Sequence, residues 1–134
     1  MSPERRRSVR FGLPRAARLI TARDFRRVYG RGRRVHGAQL VVVALPRRRG
    51  GWRLGLSVSK AHGAAVRRNK IKRLLREAFR LQRPTLPGAF DVVLIPRPQP
   101  RYGLDALRAE LTALVTELQQ RPPAGGGRSR RRRS

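Results

Sequence analysis

Residues 65–80 read Ala-Val-Arg-Arg-Asn-Lys-Ile-Lys-Arg-Leu-Leu-Arg-Glu-Ala-Phe-Arg, and this stretch decides the fold. Its apolar residues recur every three or four positions, which predicts an amphipathic helix with one buried stripe. The stripe consists of Ile71, Leu74, Leu75, Ala78 and Phe79. A helix with such a stripe must pack against a sheet or another helix, so the rest of the chain is organised around it.

The opposite side of this helix is almost uniformly positive. Placed at about 100° per residue, the residues that share this side are Asn69, Lys72, Arg73, Arg76 and Arg80. Glu77 is the only acid in the stretch. Exposed helix faces usually mix the two signs, because like charges three or four residues apart repel each other. The face therefore indicates a polyanionic partner rather than a surface that is merely solvated.

The net charge of the whole chain points to the same class of partner. Lys and Arg number 34 against 7 Asp and Glu, which gives a formal net charge of +27. Such a field attracts polyanions, and the phosphates of a structured nucleic acid supply the missing counter-charge. A basic membrane-surface protein is the alternative, but it would need a spare amphipathic helix. No apolar run approaches the length of a membrane span.

Two features bear on localisation. The chain has no Cys, so disulfides are excluded, which suits the cytosol. Its first residues lack the apolar core of a secretory signal. We therefore expect a cytoplasmic protein that does not bind a membrane.

The remaining elements are predicted from apolar patterning and turn residues. They are a helix over 21–29, strands over 39–45, 52–59 and 90–95, a helix over 104–120 and a further short strand near 33–36. With the basic helix they give the order α-β-β(-β)-α-β-α, an α+β sandwich with helices on a central sheet. We expect a flexible basic arm at 1–18, one RNA-binding domain over 19–120 and a disordered Arg-rich tail at 121–134.

The first helix carries two aromatic residues on one face. Thr21 is its predicted N-cap, with Asp24 in the capping-box position and a hydrophobic staple between Ile20 and Phe25. Phe25 and Tyr29 are four residues apart, so both rings point the same way. They are either core residues or a surface on which bases stack, and both interpretations stay open.

The strand over 52–59 alternates between large and small side chains. Its apolar face carries Trp52, Leu54, Leu56 and Val58, and its other face carries Arg53, Gly55, Ser57 and Ser59. Small side chains on the second face leave room for something to lie across the sheet.

No arrangement of residues indicates an active site. His36 and His62 have no Cys companions, so no zinc site of familiar spacing exists. The seven acids are Glu4, Asp24, Glu77, Asp91, Asp105, Glu110 and Glu117, and their flanks do not indicate a carboxylate cluster for two metals. Nucleotide-binding and nucleophile motifs are also missing from the sequence. We therefore predict a binding protein without catalytic or metal-ligating residues, whose partner supplies any chemistry.

Two segments carry a resemblance to a known family. Residues 55–60 read Gly-Leu-Ser-Val-Ser-Lys, and residues 65–74 read Ala-Val-Arg-Arg-Asn-Lys-Ile-Lys-Arg-Leu. Here the chain resembles the protein subunit of bacterial ribonuclease P, and the resemblance extends from about Leu19 through Ile95. The residues that match the family's Arg-Asn-Arg motif are Arg68, Asn69, Lys72, Arg73 and Arg76. Lys70 departs from the usual Arg, which keeps the charge but loses the bidentate fork.

The resemblance implies a fold and an activity. The implied fold is that of the second domain of ribosomal protein S5, with a left-handed crossover through the basic helix between two parallel strands. The implied activity is that of a ribonucleoprotein endoribonuclease, which removes the 5′ leader of precursor tRNA. Its RNA subunit hydrolyses the phosphodiester with bound Mg²⁺. The implied partners are therefore the catalytic RNA and precursor tRNA, without an obligate protein partner.

The resemblance also implies two sets of binding residues. The residues expected to bind the catalytic RNA are Arg67, Arg68, Asn69, Lys70, Lys72, Arg73 and Arg76. The residues expected to line a cleft for the single-stranded leader are Phe25, Tyr29, Val41, Val43, Ser57 and Lys60. Because the family can carry an aromatic residue at the position of Val43, stacking there is expected to be weaker.

Two other functions would also explain the strongly basic composition. A basic ribosomal protein would copurify with ribosomes and have no effect on tRNA maturation. An architectural nucleic-acid-binding protein would bind long duplexes as tightly as folded RNA.

Overall fold

The computed structural model describes residues 13, 15–19, 21–48 and 50–120. The predicted α+β order is confirmed in this part of the chain. The helices are α1 (Ala22–Arg31), α2 (Ala65–Gln82) and α3 (Leu104–Gln120), and the strands are β1 (Arg33–His36), β2 (Leu40–Pro46), β3 (Arg53–Leu56) and β4 (Phe90–Pro96). Short 3-10 turns lie at Arg15–Ala17, Lys60–His62 and Arg83–Thr85.

The four strands form one sheet in the order β1-β2-β4-β3. β2 is antiparallel to both β1 and β4, whereas β3 runs parallel to β4. Because α2 joins this parallel pair, the basic helix is the crossover connection that the resemblance implies. The left-handed sense of the crossover stays a prediction.

One face of the sheet packs against α2 and α3 and forms the main core. The predicted stripe of α2 lies in it, with Ile71, Leu75, Ala78 and Phe79 buried and Leu74 half-buried against the same cluster. α3 adds Leu107, Leu111, Leu114, Val115 and Leu118. Full burial of such a side chain contributes about 1.5–3 kcal/mol, so this packing offsets the repulsion between the cations on the outer side of α2.

α1 lies across the other face of the sheet. At its centre Val28 packs against Val43 and Val93, and all three side chains have 0% exposure. The half-buried residues around this centre are Phe25, Tyr29, Val41, Leu45 and Ile95. The predicted N-cap is confirmed, since Thr21 Oγ1 accepts a hydrogen bond from the Asp24 N–H at 3.1 Å. The staple that involves Ile20 lies outside the described residues.

The predicted start of the domain at Leu19 is too late. Leu13 and Ala17 are buried in the main core. The Leu19 N–H donates to the Leu54 carbonyl at 2.8 Å, so this segment pairs along β3. β3 is an edge strand, and covering it satisfies backbone groups and buries apolar surface that a free arm would leave in water. The rest of the predicted arm, residues 1–12 and 14, and the predicted tail, 121–134, lie outside the described residues.

Candidate nucleic-acid interface

α2 presents its predicted RNA-binding residues to solvent. Asn69, Lys70, Arg73 and Arg76 are exposed, and Arg67, Arg68 and Lys72 are half-buried. The helix begins at Ala65, directly after a tight connection in which Gly63 has φ +112°, a conformation that other residues rarely adopt. This turn brings the first cations of α2 next to the end of β3.

The cationic side chains of α2 differ in their hydrogen-bond and ion-pair partners within the protein. Arg67 Nη2 donates to the Gln99 carbonyl at 2.5 Å, so it anchors the loop between β4 and α3. Arg80 makes a bidentate ion pair with Glu77 at 3.0 and 2.7 Å. In contrast, Lys72 and Arg73 have no side-chain partner among the described residues. The available positive charge therefore lies in the middle of α2 rather than along its full length.

Arg76 is the clearest case of positive charge left unbalanced. Partial desolvation of the guanidinium, together with the nearby charges of Arg18 and Arg73, lowers the pKa of Arg76. Arg18, Lys72 and Arg76 border a cavity of about 250 Å³ between α2, β3 and α1. The apolar part of its lining consists of Leu13, Leu19, Phe25, Leu54, Gly55 and Leu56. An anion at this cavity would relieve the repulsion between its cations.

A half-buried aromatic surface lies beside α1, where the leader cleft is predicted. The Phe25 and Tyr29 ring centroids are 6.4 Å apart, and Phe25 lies directly over Gly55 of β3. A Cβ on Gly55 would be 2.7 Å from Phe25 Cζ, so a larger residue would displace the ring. The Arg34 guanidinium lies 5.8 Å from the Tyr29 ring centroid, which adds a cation to the rim of the cleft.

Only one of the two predicted valines can line this cleft. Val41 is half-buried and pairs with Ile95 on β4, next to the aromatic residues. Val43 has 0% exposure beneath α1, so its assignment as a leader-contacting residue is wrong. Strand alternation correctly places both valines on one face, but α1 covers that face at Val43 and leaves it open at Val41. Val43 therefore supports the floor of the cleft from below.

Ser57 and Lys60 connect the cleft with α2. Ser57 is half-buried just beyond β3, and its N–H donates to the Leu94 carbonyl at 3.1 Å. Lys60 is exposed at the start of the turn that leads to α2. These two residues lie in the connection between β3 and the basic helix.

The structure adds functional candidates that the sequence did not indicate. Ile95 lies beside Val41, and its position on the face of Val93 follows from alternation along β4. Arg34 was missed because its proximity to Tyr29 depends on how α1 crosses β1. Arg34 therefore adds a residue of β1 to the predicted cleft, and Ile95 adds a residue of β4.

A buried carboxylate lies on the side of α1 away from the cleft. Asp91, with 1% exposure, accepts hydrogen bonds from Arg27 Nη2 at 2.6 Å and from Arg53 Nε and Nη2 at 2.7 and 2.8 Å. Arg47 Nε lies 3.5 Å away. Burial alone would raise its pKa, but hydrogen bonds from Arg53 and Arg27 and the charge of Arg47 hold the pKa of Asp91 below its usual value. We call these four residues the Asp91 cluster.

Both histidines contact neighbouring residues of the fold. The part of the chain that the structure describes contains no group of three or more His, Asp or Glu residues that could hold a metal ion. His62 is buried, with Nε2 at 2.9 Å from the Pro96 carbonyl. His36 Nδ1 lies 3.3 Å from Arg97 Nη2. Both imidazoles therefore take part in local packing.

Within the described ranges no helix is long and apolar enough to cross a membrane.

Comparisons with known proteins agree on one family. The family model described as Ribonuclease P matches residues 13–119. The ribonuclease P protein component of Oleidesulfovibrio alaskensis is 42% identical over 108 residues, which cover 79% of this chain and 83% of that protein. The match from residue 13 agrees with the packing of Leu13 in the core.

Solved structures give the same result. The ribonuclease P protein of Thermotoga maritima superposes with a TM-score of 0.68 at 33% identity, covering 75% of this chain and 96% of that one. The Staphylococcus aureus protein gives a TM-score of 0.64 at 35% identity, with coverages of 75% and 94%. The chain therefore belongs to the family of bacterial ribonuclease P protein components, the protein part of a ribonucleoprotein endoribonuclease that acts in tRNA processing.

Proposed function

We propose that this chain binds a ribonuclease P RNA through α2 and holds the 5′ leader of precursor tRNA in the aromatic cleft. The observation that supports the proposal best is the meeting of two chemically different surfaces at the end of β3. Phe25 and Lys72 both line one cavity there, so an aromatic side chain lies close to the basic surface of α2. A protein that binds two RNAs at once needs such adjacent surfaces.

The middle of α2 suits a folded RNA. Lys72, Arg73 and Arg76 lie within two turns of one helix that is anchored by its buried stripe, so their charges are held at a fixed spacing. Clustered, pre-placed cations bind a phosphate-dense surface better than scattered ones, because less side-chain entropy is lost. Asn69 and Lys70, one turn earlier, add an amide and a further cation to the same surface.

The cleft suits an unpaired strand. Phe25 and Tyr29 offer rings on which bases of any sequence stack, at about 1–3 kcal/mol per base. Val41 and Ile95 supply an apolar wall, and Arg34 adds positive charge at the rim. Ser57 and Lys60 are placed to donate to phosphates of a strand that continues toward α2.

The hydrolytic step is assigned to the RNA partner. Mg²⁺ coordinated by that RNA would generate and position the attacking hydroxide. The protein residues bind and orient the substrate and lower the repulsion between two polyanions, which reduces the Mg²⁺ concentration that cleavage needs. The proposal also places the chain in the cytoplasm, where precursor tRNA is processed in bacteria.

Reconstitution with a bacterial ribonuclease P RNA tests the proposal. Precursor-tRNA cleavage is measured at low Mg²⁺ with the RNA alone and with the RNA plus this protein. We expect cleavage at the mature 5′ end only when the protein is added. Equal cleavage in the two reactions, together with copurification of the protein with ribosomes, would instead support the ribosomal function. Long duplex RNA serves as the competitor that reveals an architectural protein.

A further inference from the structure

The Asp91 cluster lies on the flank of α1 opposite the aromatic cleft. Val28 points into the sheet with 0% exposure, and the residues before and after it lie about 100° to either side. Tyr29 therefore borders the cleft, and Arg27 borders the other flank. Along β4, Asp91 and Ile95 share a face but lie about 13 Å apart, at roughly 3.3 Å per residue. The cluster is thus separate from the cleft and from α2.

A gain in folding stability does not by itself explain why three arginines surround Asp91. A buried ion pair often contributes no more to stability than apolar residues of similar size, because both charges lose their hydration. One bidentate arginine, Arg53, already satisfies both oxygens of Asp91. Arg27 and Arg47 come from two further elements and place additional positive charge at the same point.

The guanidinium groups retain many free donors. Each carries five N–H donors, and only some of them face Asp91. Arg53 Nη1 has no partner among the described residues, and Arg47 uses one donor for the Gly51 carbonyl at 2.7 Å. The side chains of Arg27, Arg47 and Arg53 remain 39%, 23% and 23% exposed. Among the described residues, Asp24 is the other carboxylate paired with the group, with Oδ1 at 3.7 Å from Arg27 Nη1. Three arginines of the described chain therefore share two carboxylates.

We propose that the Asp91 cluster is a preformed site for a phosphate of an RNA backbone. Asp91 is a positioning residue, because it holds the three guanidinium groups in fixed orientations and does not itself reach solvent. Fixed guanidinium groups bind phosphate through paired N–H donors without the entropy loss of ordering flexible side chains. The site gives the protein a third RNA contact, on the side of α1 that the leader does not occupy. It requires only that the chain bind RNA, not that the cleft bind the leader.

The substitution Asp91→Asn separates this proposal from a bulk-charge effect, because the two predict opposite signs. The change raises the net charge by one, so loosely attracted RNA would bind more tightly. We expect weaker binding, by roughly two- to twelvefold for each arginine that becomes mobile. We also expect a salt slope about 0.7–0.9 smaller for each phosphate that the protein no longer neutralises, which a purely structural role would not produce. Asp105→Asn, an exposed position at the start of α3, is the matched control and should not weaken binding.

A second variant keeps the test decisive if Asp91→Asn unfolds. Arg27→Lys preserves charge at a partly exposed position but loses the planar fork, and it should weaken binding in the same way.

Two binding reactions are measured separately: a ribonuclease P RNA with the protein, and precursor tRNA with the assembled complex. Weaker binding in the first assay assigns the phosphate to the catalytic RNA, and weaker binding only in the second assigns it to the substrate. Wild-type or tighter binding in both assays, for the folded variants, overturns the proposal. Tyr29→Ala should leave this site intact, so failure of the cleft assignment would be recognised separately.

Discussion

Gly55 is the residue on which the shape of the cleft depends most directly. Its missing side chain lets the Phe25 ring pack closely against β3, and the backbone there does not require a positive φ. Glycine is therefore needed at this position because a side chain would clash with Phe25, and not because of the backbone conformation. Because Phe25 is half-buried, its ring has room to move outward when that space is filled.

We expect Gly55→Ala to weaken binding of precursor tRNA while the protein stays folded. The added methyl would lie 2.7 Å from Phe25 Cζ, so the ring must leave the position in which it can stack on a base. The matched control is Gly30→Ala in α1, where the added Cβ would have no atom within 4 Å apart from its chain neighbours and its own helix backbone. That change should raise stability by about 0.5–1 kcal/mol and leave binding unchanged. Affinities from fluorescence titration and stabilities from urea unfolding check both expectations.

Tyr29→Ala tests the stacking surface itself. The ring is half-buried at the rim, so its removal should leave the domain folded. A stacked base contributes about 1–3 kcal/mol, and the affinity for precursor tRNA should therefore fall by roughly five- to a hundredfold. Mature tRNA, which has no leader, is the control and should bind almost as before. A wild-type ratio of the two affinities would show that the leader does not use this cleft.

Asp91 also makes stability depend on pH. Its pKa is lower in the folded state than in the unfolded chain, where it is about 3.9. The stabilisation is therefore complete above the unfolded value and is lost as the pH falls through the lower folded value. Urea unfolding at pH 7 and at pH 3 should show a larger loss of stability for the wild type than for Asp91→Asn. Equal losses would mean that other carboxylates account for acid unfolding.

At the scale of elements, α2 combines two tasks on two faces. Its buried stripe fixes the helix against the sheet, and its outer face carries cations with few partners of their own. The helix can tolerate this repulsion because its stability comes from tertiary packing and not from its own charge pairs. Its middle turns, where the cations lack partners, should therefore contribute more to RNA binding than its ends.

Charge reversal at Arg73 should weaken assembly with the catalytic RNA more than charge reversal at Arg108. Arg73 is exposed on α2 without a side-chain partner among the described residues, whereas Arg108 lies on α3 and donates to Gln82 Oε1 at 2.6 Å. Filter binding across a range of salt concentrations provides the measurement. Equal losses at the two positions would show that RNA responds to total charge and not to the surface of α2.

Some features of these elements can be predicted from the sequence, and others cannot. The stripe of α2 could be predicted because five apolar residues repeat at helical spacing over a long element. The packing of Leu13 and Ala17 could not, because single apolar residues among arginines have no period. The exposure difference between Val41 and Val43 depends on the angle at which α1 crosses β2. The Asp91 cluster also could not be predicted, because its residues are far apart in the sequence. Arg27 is 64 positions from Asp91, and Arg53 is 38 positions from it.

At the scale of the whole molecule, the excess of positive charge surrounds a small core. The formal net charge of +27 is far from balance, and such self-repulsion destabilises a compact state. Polyanions that bind the folded chain relieve this repulsion and stabilise the fold by mass action. The three proposed RNA-binding surfaces would share that effect, because each places cations where a phosphate can neutralise them.

Deleting residues 128–134 should lower affinity for RNA without changing where the substrate is cut. The segment contains five Arg residues and no apolar residue. Each phosphate that is no longer neutralised reduces the salt slope by about 0.9 for duplex-like charge density. Primer extension on the cleaved tRNA checks the site, and binding at several salt concentrations checks the slope. A shifted cleavage site in the truncated protein would mean that these residues position the substrate.

The central place of β4 in the sheet has a consequence for synthesis on the ribosome. β2 and β3 are made first but do not pair with each other, since β4 lies between them and leaves the ribosome only after α2. Until residue 96 emerges, the nascent chain presents valine-rich β2 with one unpaired edge, a state prone to misassociation. Chains truncated before β4 should therefore fail to fold, and the sheet should close late, in a single non-local step.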